Sequence, residues 1–399
     1  MEDRGHGQRI RHETVTVTSE IPPGIFLARP DPLPTAGIRL AVKDLFDTAG
    51  LTTTYGSAIF ADHVPTRTAD AVQRLEAAGY TTVGKTNLHE FAYGTTSENE
   101  HFGAVPNPAA PGRVAGGSSG GNAAALALAL VDAALGTDSG GSVRIPAACC
   151  GVVGFKPTYG LIPVEGCFPL APSFDHAGPM ARDVATCAAM MDALAPGLEP
   201  RTLESLEELE VGVAWLDDAD PLVRARVGEA ASLFPRHRAL DLPSADAITR
   251  AFQREVADVH RELYAEHGDL YGASVATKIE RCLAVTEAEY EQAVRAREEY
   301  REQILGLMSQ VDLVVTPTLG CVAPPLGVGD LVLRDLLVQR TLPFNAIGAP
   351  ALALPCGPAE DGLPASVQLA GTPGADALVL AAGNLLSASL EQAVVRTTP

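Results

Sequence analysis

The chain is poor in several things that would otherwise direct its reading. Lys and Arg number 29 against 49 Asp and Glu, a formal charge of -20, which argues against nucleic acid as a direct partner because phosphate binding needs a basic face. No run approaches the roughly 18 uncharged apolar residues of a membrane span, and the polar start MEDRGHGQRIRHETVTV has no apolar signal core. A soluble, cytoplasmic protein without membrane contact is expected. Seven cysteines, an odd count with no C-x-x-C, exclude a paired disulfide framework and read as reduced, mainly buried thiols. No G-x-G-x-x-G occurs, and His89-Glu90 opens like a zinc motif but has Tyr93 where its second histidine belongs. No metal or cofactor is expected. No linker, repeat or low-complexity tract divides the 399 residues, so residues 1–20 read as a polar tail and 21–399 as one domain.

One local match misleads. Gly79 to Thr86, GYTTVGKT, fits the phosphate-loop pattern G-x-x-x-x-G-K-[ST] in full. Such a loop follows a strand, whereas Ala71, Val72, Leu75 and Ala78 before it have helical spacing. Gly79 is better read as a helix C-cap, and the β-branched residues 81–83 as a strand.

What the chain does have is two serines twenty-four positions apart in glycine-rich surroundings: Ser118 in RVAGGSSGGNAAA and Ser142 in LGTDSGGSVRIP. Around Ser142 the run Ser139-Gly140-Gly141-Ser142 lets successive backbone N–H groups turn towards one point, a nest suited to a developing oxyanion. A serine hydroxyl also needs a base. None of the nine histidines shows a pattern pointing to one. Lys43 is the better candidate, because it ends the apolar run 38–42, which reads as a buried strand. Burial disfavours an ammonium and can bring a lysine from about 10.4 towards neutrality. From that peptide alone a salt bridge to Asp44 or Asp47 is the commoner outcome.

With these segments in view, the chain closely resembles the amidase signature hydrolases. The likeness runs along nearly its full length, through AVKDLFDTAG, VGKTNLHEFAYGTTSENEHFGAVPNP, GGSSGG, LGTDSGGSVRIPAACCGVVGFKPTYG, FDHAGPMAR, DLVVTPT, PFNAIGAPALALPCG and GLPASVQLAG. The resemblance implies that Ser142 is the nucleophile, Ser118 a bridging serine preceded by a cis peptide, and Lys43 the terminal base. It implies an oxyanion hole made by the N–H groups of Ser139, Gly140, Gly141 and Ser142. Gly117, Ser119, Thr137, Asp138 and Arg144 are expected to support these groups, with Thr137 and Asp138 bracing the turn and Arg144 paired with a buried carboxylate. Tyr93, Phe168 and Phe174 suggest a substrate pocket for an apolar or aromatic group. No cationic cluster inside a motif marks a carboxylate-bearing substrate, and Arg281 and Glu280 read as a solvated helix face. Ser139 and Cys149 depart from the family pattern without removing a needed group.

The expected architecture is α/β: one large domain with a mixed, twisted sheet covered by helices on both faces. Helices are expected over 122–130, 183–194, 245–266 and 287–307, and strands over 131–136, 312–317, 351–355 and 364–369. Residues 198–242 read as a shortened, variable stretch. Three functions stay in view. The first is an amidase cleaving a small carboxamide to acid and ammonia, with a homodimer favoured on base rates. The second is the glutaminase (A) subunit of a transfer-RNA-dependent amidotransferase, which TTSEN at 95–99 resembles but which usually has glutamine where Ile145 and His176 stand. The third is a silent binding module, which has no need of Lys43, Ser118 and Ser142 together.

Overall fold

The computed structural model describes residues 21–245 and 248–397; the polar tail expected at 1–20 lies outside them. The first part of the chain forms β1 (Phe26–Ala28), β2 (Ile38–Lys43), α1 (Asp70–Ala77) and β3 (Tyr80–Thr86). A small ribbon, β4 (Glu98–Asn99) and β5 (Gly103–Ala104), precedes α2 (Gly120–Ala127), β6 (Ala133–Asp138) and α3 (Arg144–Cys150). Next come β7 (Val153–Lys156), β8 (His176–Ala181), α4 (Val184–Leu194), β9 (Glu210–Val213), α5 (Pro221–Ser232) and β10 (Arg236–Ala239). Three helices follow, α6 (Thr249–His267), α7 (Ala273–Leu283) and α8 (Glu287–Met308). The chain finishes through β11 (Leu313–Pro317), α9 (Asp330–Val338), α10 (Leu342–Ala346), β12 (Ala351–Pro358), β13 (Pro364–Ala370) and α11 (Asp376–Thr397).

Eleven of the strands make one sheet in the order β1-β3-β2-β6-β8-β7-β12-β13-β11-β9-β10. It is mixed: β2 runs parallel to β3 and β6, whereas β8 is antiparallel to both β6 and β7. Alternation along the strands decides what covers each face. Leu40, Val42, Leu135, Leu352 and Leu354 point to a core built with α1, α4, α5 and α11. On the other face Ala41, Ala134 and Ala353 meet Ala123, Ala124 and Ala147 of α2 and α3. Alanine against alanine lets these two helices lie close to the sheet, which carries the segments before them, and with them Ser118 and Ser142, down to the ends of β2 and β6. Further along that face Val314 and Ala370 pack under α6 to α9.

Most expected elements are present with shifted ends. Gly79, at φ +91°, closes the turn after α1, and β3 runs straight through Gly84 and Lys85, so the phosphate-loop reading fails on structure as it did on sequence context. The strand expected at 131–136 lies at Ala133–Asp138, because pairing with β8 continues to Asp138 opposite His176. The helix expected from 245 begins at Thr249. Residues 198–242, expected to be variable, instead supply β9, α5 and β10, and so complete the far edge of the sheet. No helix among the described residues is long and apolar enough to cross a membrane.

Lys85, fully buried, pairs with Asp44 at 3.0 Å and donates to Phe46 O and Thr53 Oγ1, both at 2.7 Å. Removing one partner of such a pair strands the other's charge in the interior. Asp44→Ala is therefore expected to lower the unfolding free energy by about 3–5 kcal/mol in urea titrations; a loss under about 1 kcal/mol would mean the pair is better hydrated than its burial indicates.

Candidate active site

Lys43 is the last residue of β2, fully buried, with Nζ 2.7 Å from Ser118 Oγ and 2.7 Å from Thr137 Oγ1. Neither predicted salt bridge forms. Asp44 turns to Lys85 and accepts from Thr54 N–H at 2.7 Å, while Asp47 accepts from the Tyr55 hydroxyl at 2.7 Å. Burial brings Lys43 down to about 7, against the pull of Asp138 and Asp175, which favour its charge. Near neutrality its amine can keep two N–H donors and one lone pair, enough to donate to Thr137 and accept from Ser118.

Ser118 is fully buried after a cis peptide from Gly117. A side chain at Gly117 would press on the Thr95–Thr96 backbone, its Cβ 2.8 Å from Thr95 C, which accounts for glycine there. Ser119 ties the two serine segments together: its N–H donates to Ser142 O at 3.2 Å and its hydroxyl to Thr137 O at 3.3 Å. The Ser118 and Ser142 hydroxyls themselves share no hydrogen bond among the described residues.

The turn carrying Ser142 lies between β6 and α3 and is held from beneath by Asp138. That carboxylate accepts from Gly141 N–H at 2.7 Å, Val143 N–H at 3.3 Å, Arg144 Nε and Nη2 at 2.9 Å each, and Asn345 Nδ2 at 2.9 Å. Burial alone would raise its pKa, but the Arg144 guanidinium overrides that and holds the carboxyl well below the usual range. Arg144 also reaches Thr341 O (3.0 Å), Gln368 Oε1 (2.7 Å) and Asn345 Oδ1 (2.6 Å). Gly141 sits at φ +128°, and any side chain there would collide with Thr341.

Within the expected nest the Gly141 N–H donates to Asp138, while the N–H groups of Gly140 and Ser142 have no protein acceptor among the described residues. Ser139 places its hydroxyl 2.5 Å from Asp175 Oδ1. Thr137 does not brace the turn through its side chain; it holds Lys43.

Ser142, 7% exposed, opens on a narrow cavity of about 20 Å³ with Tyr93, Leu170, Phe252 and Arg334 in its wall, room for one water-sized group. Of the aromatic residues expected in the pocket, Tyr93 is there. Phe168 is not in that wall and packs with Tyr55, Phe60 and Phe91; Phe174 lies fully buried between Phe252 and the Arg297 guanidinium. Three buried histidines make no hydrogen bond to Lys43 or to the Ser118 and Ser142 hydroxyls among the described residues. The His89 backbone N–H donates to Ser118 O at 3.2 Å, His176 Nδ1 faces Phe174 O at 2.7 Å, and His260 Nδ1 faces the Tyr271 hydroxyl at 2.9 Å. Burial lowers all three, His89 and His260 to about 4.

Sequence reasoning missed Asp175, Thr341, Asn345 and Gln368 as partners of the turn. Three of them stand in segments already singled out, FDHAG, PFNAIGAP and SVQLAG, where a polar residue inside an apolar run was the available signal.

A serine presented by a backbone nest, a second serine behind it and a dehydrated lysine define an amide-hydrolase type of site. The chain matches the family model Amidase over residues 27–211 and 201–380, and it belongs to that family. It is 38% identical over 386 residues to AtzE, the 1-carboxybiuret hydrolase component of Pseudomonas sp. (strain ADP), covering 88% of this chain and 84% of that one. It is 34% identical over 401 residues to the A subunit of glutamyl-tRNA(Gln) amidotransferase from Chloroflexus aurantiacus, covering 88% and 82%. A crystal structure of an amidase superposes with a TM-score of 0.81 at 37% identity, covering 88% of this chain and 84% of that one.

The dehydration of Lys43 has a thermodynamic signature. With a folded value near 7 and an unfolded one near 10.5, the unfolded chain binds more protons between those pH values, so Lys43 adds stability as pH rises through that window and withdraws it as pH falls. The unfolding free energy of the wild type relative to Lys43→Met is expected to grow by about 1.4 kcal/mol per pH unit between roughly pH 7.5 and 10, measured by denaturant titration. A difference independent of pH would place the lysine in water.

Proposed function

We propose that the protein hydrolyses the C–N bond of a small carboxamide through an acyl-enzyme on Ser142. The observation that carries this reading is Lys43 Nζ, dry and lowered to about 7, at 2.7 Å from Ser118 Oγ. Neutral Lys43 takes the Ser118 hydroxyl proton as Ser118 takes that of Ser142. The Ser142 oxygen bonds to the amide carbon, and the carbonyl electron pair moves onto oxygen, where the N–H groups of Gly140 and Ser142 stabilise it. The tetrahedral centre then collapses: the C–N bond breaks, the proton returns from Lys43 through Ser118 to nitrogen, and ammonia leaves. Water adds to the ester by the same path and releases the carboxylic acid. The Ser118–Ser142 hydrogen bond is the one link left to be made when substrate arrives, as catalytic hydrogen bonds often tighten only in the complex.

A second reading, the glutaminase component of an amidotransferase, is supported by the relative from Chloroflexus aurantiacus. Ile145 and His176, where that component usually has glutamine, favour the self-sufficient enzyme, acting alone or as a homodimer. Seven unpaired cysteines fit a reducing cytoplasm.

The purified chain is expected to release ammonia from small amides, with kcat/KM rising through an apparent pKa near 7 to a plateau. Ser142→Ala should show no turnover and no labelling by a fluorophosphonate. Lys43→Ala should lose about 10²–10⁴-fold near pH 7 and recover part of it at high pH. Release from glutamine alone, and only with added partner proteins, would favour the second reading; full activity of Lys43→Ala would remove the lysine from the mechanism.

A further inference from the structure

Beside the narrow cavity at Ser142 lies a larger one of about 350 Å³, between the start of α6, the body of α7 and α9. Arg250, Lys278, Arg281 and Arg334 line it, and Asp335 is the one carboxylate in that lining. Lys278 is already matched, being ion-paired with buried Asp330 and donating to Tyr93 O. Asp335 lies 3.6 Å from Arg334 with its own side chain almost wholly in water. Arg250 donates to Gln253 Oε1 at 2.9 Å, and neither it nor Arg281 forms an ion pair among the described residues. The nearby carboxylate of Glu289 is taken up by Thr286, from N–H at 2.9 Å and hydroxyl at 2.8 Å. In a chain of net charge -20, the lining thus keeps two arginines that form no ion pair among the described residues, Arg250 lying within the field of Glu289.

Exposed arginines alone would mean little. Here Tyr93 and Arg334 belong to the walls of both cavities, and the Arg334 guanidinium, 17% exposed, lies over the Tyr93 and Phe252 rings at 5.7 and 5.8 Å from their centres. The planar donor fork of arginine matches a carboxylate.

We propose that this cavity binds a carboxylate carried by the substrate, so that the amide cleaved is a monoamide of a dicarboxylic acid, reaching past Tyr93 and Arg334 to Ser142. The proposal rests on the amidase reading above. It revises Arg281 from a solvated face to a binding group and supplies, from outside the motifs, the cationic cluster that the motifs lack. An ammonium next to the carboxylate meets the same positive charges, so glutaramate is favoured over glutamine.

The test compares malonamate, succinamate, glutaramate and adipamate with neutral amides of equal chain length, in the wild type and in the double variant Arg250→Gln, Arg281→Gln. In the wild type the best acid-bearing amide is expected to exceed its neutral counterpart in kcat/KM by about ten-fold or more, less so at high salt, with glutaramate ahead of glutamine. That ratio should fall about ten-fold in the double variant, whose fold is checked by circular dichroism. Neutral amides preferred by the wild type, or a ratio unmoved by the substitutions, would overturn the proposal. Binding of the same monoamides to Ser142→Ala by calorimetry separates this from the hydrolase reading. Arginine-dependent binding without turnover in the wild type would sink only the hydrolase reading, whereas binding that is absent or indifferent to both arginines would sink this one.

Discussion

The structure turns on keeping carboxylates away from Lys43. A buried lysine beside a free aspartate stays an ammonium, because the pair's attraction outweighs the dehydration that would neutralise it. Asp175, which pulls on Lys43, is held by the Ser139 hydroxyl and the Leu170 and Ala171 N–H groups, and two further aspartates adjoin this cluster in the chain. Asp44 follows Lys43 directly in the chain, and Asp138 follows its partner Thr137. Each is assigned to another cation, Asp44 to Lys85 at 3.0 Å and Asp138 to Arg144 at 2.9 Å. Lys43 is left with two hydroxyls and no carboxylate in contact, the setting in which an amine can accept a proton near pH 7.

The same pairing shapes the turn that presents Ser142. Asp138 grips the Gly141 and Val143 N–H groups while Arg144 reaches across to Thr341, Asn345 and Gln368, so the turn is fixed by residues some 200 positions later. Asp138 thereby fixes the turn through the Gly141 and Val143 N–H groups, while those of Gly140 and Ser142 have no protein acceptor among the described residues. A nest fixed before substrate binds needs no reorganisation as charge develops on the oxygen.

Much of this was legible in the sequence, for physical reasons that can be named. Lys43 at the end of an apolar strand, the glycines around both serines, and Arg144 six residues from Asp138 are local patterns, and local patterns report local geometry. The sheet covered by helices followed from the order of the expected strands and helices and from the family resemblance. What escaped depends on contacts far apart in the chain. The partners Asn345 and Gln368, and the displacement of Phe168 and Phe174 from the pocket wall, each come from packing between distant elements. So does the gathering of Arg250, Arg281 and Arg334 from three helices. Residues 198–242 looked irregular because short edge strands such as Glu210–Val213 and Arg236–Ala239 carry too few positions to show a period.

The titration of Lys43 itself tests the central claim most directly. Protein labelled with ¹³C at the lysine ε-carbon, with Lys43→Met to assign the resonance, would be followed by NMR from pH 5 to 11 in the Ser142→Ala background. A midpoint near 7 is the result expected of a lysine kept dry and without a carboxylate partner. A midpoint near 10.4, that of a lysine in water, would contradict it, and with it the role of Lys43 as the base.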